Sequence, residues 1–146
     1  MGLFQSFDIS ASGMTAQQFR ADIIAENIAN INTTRDENGD VYTRKVVTFA
    51  TKTITPFSDV LEAHRNKFRG DGVKVTRVRE DHTTDYIMEY DPSHPDADEN
   101  GYVTYPNVNI VTEMTNLIDA SRAYEANVTA FQASKDMAQK GLSIGG

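Results

Sequence analysis

The 146-residue chain contains no cysteine. Disulfide scaffolds, thiolate metal sites and cysteine nucleophiles are therefore excluded, and the chain is indifferent to the redox state of its compartment. Hydrophobic residues are also scarce, at 39%, and mean hydropathy is -0.47. That supplies a modest core, lean for a compact enzyme. No apolar run approaches the roughly 18 residues needed to span a bilayer. The start, MGLFQSFDIS, has no basic residue before Arg20 and no cleavable apolar core, so it does not read as a Sec-type leader. Gly2 and Ser6 fit a myristoylation pattern, but without a polybasic partner. Positive charge is the last shortage. A net charge of -7 and a pI near 4.8 argue against nucleic-acid partners and against anionic lipid surfaces.

What is present divides by periodicity into three regions. From about Leu3 to Asn30, the positions Phe4, Phe7, Ala11, Met14, Gln18, Ala21, Ala25 and Ile28 step by threes and fours, and only Gln18 is not apolar. This is a helical stripe at period 3.5, uninterrupted by proline. Asn30, Asn32, Thr33 and Thr34 then favour a stop, because their side chains compete for backbone hydrogen bonds.

The second region, residues 34–106, reads as strands and turns. Asn38-Gly39 is a tight-turn signal. Val41 to Thr51 is rich in valine, threonine and aromatics, and Val73 to Arg79 alternates as a strand does. Lys52 to Gly72, with Pro56, Gly70 and Gly72, reads as a loop or extended arm. Tyr86, Met88 and Tyr90 continue the alternation, and Tyr102 to Tyr105 forms a last strand after the turn-rich DPSHPDADENG.

After Pro106, Asn107 or Asn109 is placed to cap a second helix. Ile110, Met114, Leu117, Ser121, Tyr124, Val128, Phe131, Lys135, Ala138 and Leu142 carry its stripe, with Gly141, Gly145 and Gly146 placed to end it. The expected fold is α+β. Long N- and C-terminal helices (1–33 and 107–146) pack as a coiled-coil-like hairpin beside a small β-rich middle region (34–106). Periodicity leaves two readings open: an intramolecular hairpin, or a unit that polymerises through its helices.

Sites with chemistry are weakly signalled. Asp96, Asp98, Asn100 and Gly101 match the first half of a calcium loop, but the twelfth place is Asn107 where a bidentate glutamate is needed, and Pro95 and Pro106 stand where flanking helices should be. Asp91, His94 and Asp96 are close in sequence, yet the prolines there argue for a stiff turn over a zinc site. His64 and His82 form no ligand motif. There is no GxSxG elbow, and Gly70 and Gly72 precede a strand, whereas a phosphate loop needs a helix N-terminus. The sequons at Asn32 and Asn127 are commonplace triplets. Gly13 within the first stripe should cost about 1 kcal/mol against alanine. With Ala11, Ser12 and Ala16 it makes a small-residue surface that suits close helix approach. Arg20, Asp22 and Glu26 read as a solvated face.

The ends carry a further signal. Ala11-Ser12-Gly13-Met14-Thr15-Ala16-Gln17-Gln18, then Ala25-Glu26-Asn27-Ile28-Ala29-Asn30, resembles the N-terminal signature of the flagellar rod and hook protein family. Tyr90-Asp91-Pro92-Ser93-His94-Pro95, Tyr105-Pro106-Asn107-Val108-Asn109, Glu113-Met114 and Ala120-Ser121-Arg122-Ala123-Tyr124-Glu125-Ala126-Asn127 extend the likeness to proximal rod members. The resemblance implies a structural subunit, not an enzyme, that needs no cofactor or metal. Such a subunit is exported by the flagellar type III apparatus without a cleaved signal and joins the periplasmic rod, where it transmits torque from motor to hook. Its implied partners are other rod subunits and copies of itself, with no nucleic acid and no membrane insertion. The expected assembly positions are Phe4, Phe7, Ala11, Met14, Ala21, Ala25, Ile28, Ile110, Met114, Leu117, Tyr124, Val128 and Phe131. The competing readings are another axial flagellar protein, a calcium-dependent binding module on the Asp96 loop, and a small hydrolase.

Overall fold

The computed structural model describes residues 3–35, 39–52 and 72–144. Its elements run α1 (Leu3–Ala29), β1 (Lys45–Thr51), β2 (Val73–Glu80), β3 (Ile87–Tyr90), β4 (Tyr102–Tyr105) and α2 (Ile110–Ile144). This is the expected α+β arrangement of two long terminal helices and a small antiparallel β region. At about 1.5 Å per residue, α1 is about 40 Å long and α2 about 52 Å.

The helix ends follow local chemistry. α1 stops at Asn30, whose side-chain amide donates to the Glu26 carbonyl at 2.9 Å and accepts from the Thr33 hydroxyl at 3.1 Å. Asn109 caps α2, its Oδ1 receiving the N–H groups of Val111 and Thr112 at 3.0 and 3.1 Å. Asn107 does other work, described below. Gly141 does not end α2, which continues through it to Ile144. An interior glycine costs only about 1 kcal/mol, which the rest of a long helix absorbs.

β1 pairs with β2, and β3 with β4. Lys52 N–H donates to the Gly72 carbonyl and Asp81 N–H to the Arg44 carbonyl, bracketing the first pair in antiparallel sense. The expected arm between β1 and β2 lies outside the described residues from 53 to 71, as does Asn38 of the expected turn. Gly39 does hold a positive φ of 91°. In the second pair Ile87 faces Tyr105 and Tyr90 faces Tyr102, whose rings meet edge-on at 5.3 Å. The turn between them closes at Gly101, where a positive φ of 82° coincides with a packed site: a Cβ there would come within 3.0 Å of the Tyr90 ring. That double restriction is why glycine stands at this position.

The fold divides into two compact units, each drawing on both helices. One comprises Met1–Phe19, Thr48–Arg77 and Ala120–Gly146; the other comprises Arg20–Val47 and Val78–Asp119. In the first, Phe7 meets Phe131 with tilted rings 5.0 Å apart, and Gly13 lies against Asn127. A Cβ on Gly13 would fall 2.5 Å from Asn127 Oδ1, so the close helix approach expected there is real. Ser12 adds an anchor, its hydroxyl donating to the Ile9 carbonyl and accepting Val73 N–H at the start of β2. In the second unit, Asn27 and Arg20 of α1 meet Glu113 and Asn116 of α2. Rising numbers on one helix against falling numbers on the other make the pair antiparallel there. Val103 and Val108 supply this unit's buried apolar centre together with Ile24.

Candidate assembly surface

The internal helix seam is not the apolar stripe. On α1 the buried and half-buried line runs through Ser10, Gly13, Gln17, Arg20, Ile24 and Asn27; on α2 it runs through Glu113, Asn116, Ala120, Ala123 and Asn127. Each line sits one residue N-terminal to its apolar stripe, a rotation of about 100° for a helix with 3.6 residues per turn. The small and polar side chains face inward, and the stripes fall on the flanks.

The thirteen expected assembly positions therefore scatter. Phe7 and Phe131 pack on each other and are half-buried, as are Ala11, Met14, Ala21, Ile28, Leu117 and Val128. Ala25 is exposed, and so are Ile110, Met114 and Tyr124, Met114 at 54%. The side chain of Phe4 lies outside the described residues. Val111 and Ile118, one turn either side of Met114, are open too, at 70% and 52%. Together they give the start of α2 an apolar outer face.

The inward polar line converges, within the second unit, on a knot that sequence reasoning missed. Asn27 is fully buried and satisfies all of its hydrogen-bonding capacity. Its Nδ2 donates to the Lys45 carbonyl at 2.9 Å and to Glu113 Oε2 at 3.0 Å. Its Oδ1 accepts Lys45 N–H at 2.8 Å and the Tyr42 hydroxyl at 2.9 Å. Glu113, 1% exposed, places Oε1 against Arg44, which donates from Nε at 2.9 Å and Nη2 at 2.7 Å. Arg44 also reaches Asp81 at 3.3 Å. Asn107, left between two roles by the sequence, closes the far side. It donates to the carbonyls of Asp81 and Thr84 and accepts Arg44 N–H. A buried carboxylate is tolerable only when paired and hydrogen-bonded, and Glu113 is both.

The electrostatics follow from these contacts. Burial pushes the Tyr42 phenol up to about 12, with the charges of Glu26, Glu113 and Glu80 adding to the effect. Asp81 is held well below the usual carboxylate range by the Thr83 hydroxyl first, then by Thr83 N–H and the Thr84 hydroxyl. Arg20 and Glu26 are not simply solvated. Arg20 reaches Asn116, and Glu26 pairs with Lys45; Asp22 is exposed.

The Asp96 loop is committed to protein partners. Asp96 accepts the Thr34 hydroxyl at 2.8 Å and pairs with Arg35 at 2.9 Å. Asp98 Oδ1 accepts the N–H groups of Asn100 and Tyr102, which holds its carboxyl below the usual range, the Tyr102 contact foremost. His94 Nδ1 receives Asp96 N–H. Among the described residues, no three His, Asp or Glu side chains are grouped to hold a metal ion.

Residues 7–35 match the family described as "Flagella basal body rod protein", and residues 99–144 match "Flagellar basal body rod FlgEFG protein C-terminal". Proteins named flagellar basal-body rod protein FlgC from Bacillus subtilis and Borreliella burgdorferi are 43% and 41% identical to this chain. They cover 99% of it and 99% and 98% of their own lengths. The Salmonella typhimurium protein of the same name is 37% identical, with 99% coverage both ways. The chain belongs to the FlgC family of flagellar basal-body rod proteins. It is a structural subunit of that rod, assembling with other rod subunits in the basal body. Both family signatures carry parts of the knot: Asn27 from the N-terminal one, Asn107 and Glu113 from the one toward the C-terminus.

Proposed function

We propose that the chain builds the rod through the outer apolar faces of its two helices, and that it carries no active site. The observation supporting this is the one-residue rotation of the seam. Small and polar residues serve the internal helix contact, so Ile110, Met114 and Tyr124 remain open for neighbours. In this reading, torque passes between subunits by helix packing, and no single polar side chain is indispensable for chemistry. The assembly positions are the thirteen stripe residues, with the exposed start of α2 foremost. The terminal segments 1–33 and 107–146 serve assembly, and 34–106 form the middle body. FlgC family membership supports export by the flagellum's own type III apparatus without a cleaved leader, and a place in the periplasmic rod among copies of itself and related subunits. None of the described helices is long and apolar enough to cross a bilayer.

The direct test is Met114→Asp. An exposed substitution changes monomer stability by about 0.5 kcal/mol or less, whereas a carboxylate buried unpaired between subunits costs several kcal/mol. The variant should melt like the parent, be exported, and leave cells without completed rods. Normal swarming would refute the assembly role of this face.

A further inference from the structure

The second unit aligns two helices and a strand through a buried polar network set beside the apolar centre of Ile24, Val103 and Val108. On α1 its inward positions are Arg20, Ile24 and Asn27; on α2 they are Glu113 and Asn116, with Leu117 half-buried beside them. Among these inward positions, Ile24 and Leu117 offer the bulky apolar knobs. A heptad-spaced seam with so few knobs is poorly defined along its axis, because sliding one helix by seven residues returns the same face to its partner. Such a slip would move everything on the outside of α2 by about 10 Å.

The knot is sensitive to that sliding where apolar contact is not. Asn27 has two donors and two acceptor sites, and each is matched to a different group: Glu113 on α2, both backbone groups of Lys45 on β1, and the Tyr42 hydroxyl. Glu113 in turn needs the fork of Arg44. In any other alignment the carboxylate would be buried without its cation. A single buried asparagine at a helix seam is known to fix register at some cost in stability, and buried ion pairs contribute little net stability over apolar replacements.

We propose that the Asn27–Arg44–Glu113 knot is a register lock, selecting one alignment of α1, β1 and α2 from several that the seam would otherwise accept. A polymer of identical subunits requires every copy to present the start of α2 at the same axial position, and the lock supplies that uniformity.

The test replaces the knot with apolar groups of similar length, Asn27→Leu with Arg44→Met and Glu113→Leu, in the full-length chain. The absence of native cysteine allows register to be read by cross-linking. Arg20→Cys with Asn116→Cys marks the native pairing; Arg20→Cys with Ala123→Cys marks a one-heptad slip. Both pairs are joined with a short bifunctional maleimide. In the parent background the native pair should dominate. In the apolar background helicity and Tm should be retained or raised, while the ratio of native to slipped product falls about tenfold or more, and rods fail to assemble. Retained stability with the native pair still dominant would overturn the proposal. If the triple variant does not fold, the double variant Arg44→Met/Glu113→Met is read by the same two outcomes. Failure of both to fold would also overturn it, since the knot would then supply stability and not choice of register.

Discussion

Replacing Gly13 with alanine gives a perturbation whose sign depends on one other side chain. The added Cβ would lie 2.5 Å from Asn127 Oδ1 and 2.8 Å from its Cγ, against an ordinary contact of 3.4 Å or more. Clearing the nearer atom needs about 0.9 Å of movement. Asn127 does not yield freely: it is half-buried and its Nδ2 donates to the Ala123 carbonyl at 2.8 Å. Overpacking of this kind costs about 1–3 kcal/mol. Against it stands the helix-propensity gain of alanine over glycine, about 1 kcal/mol. Gly13→Ala alone should therefore lower stability by about 0–2 kcal/mol. With Asn127→Ala already in place the obstructing atoms are gone, and the same change should raise stability by about 1 kcal/mol. Equilibrium unfolding in urea, followed by far-ultraviolet circular dichroism on the four proteins of the cycle, gives the coupling directly. It should be about 1–3 kcal/mol and should reverse the sign. If Gly13→Ala stabilised equally in both backgrounds, the close approach inferred at this point would be wrong.

Asn27→Ala should cost about 2–5 kcal/mol, because it strands Glu113 Oε2 and the two backbone groups of Lys45, and one unmatched buried group costs about 1–3 kcal/mol; denaturant midpoints measure it. Asp81 is depressed in the folded state, so its contribution is present above the ordinary carboxyl value of 3.8 and is lost as pH falls through the folded value. Asp81→Asn should therefore flatten the acid limb of a stability profile. Tyr42, raised to about 12, should resist ionisation in an ultraviolet titration, and that resistance should weaken the fold as pH climbs from 10 toward 12. Val128→Asp, half-buried on the second stripe, should abolish swarming while the protein is still exported. His94→Ala, which removes only an acceptor for Asp96 N–H and a ring contact with Tyr105, should leave motility largely intact.

Period and composition made the elements legible. The 3.5-residue stripes located both helices to within a residue or two at their outer ends, and alternation located β2 and β4. Periodicity could not say which face turns inward. An apolar stripe satisfies a neighbouring subunit as well as it satisfies the same chain, so the stripe alone leaves the internal seam, one residue away, unassigned. Asn107 illustrates a second limit. Asparagine before a helix reads as a cap, and only the tertiary arrangement brings Asp81, Thr84 and the Arg44 N–H within its reach, leaving Asn109 to cap. The knot was illegible for the same reason: Glu113 looks like an ordinary first-turn acid until Arg44, sixty-nine residues away, is folded against it. The signature residues were noticed as a pattern, but pattern alone carries no partner.

The bonding of Asn27 to Lys45 has one further consequence. Along a strand, the N–H and carbonyl of one residue point to the same edge, and β1 offers those of Lys45 on an edge where a foreign strand could add. Asn27 occupies both, presenting an amide that imitates the backbone of an adjacent strand. Exposed strand edges are templates for edge-to-edge aggregation, and proteins commonly blunt them with charge, bulges or covering helices. Here a helix side chain blunts the first rung of β1, so that rung is closed to strand pairing.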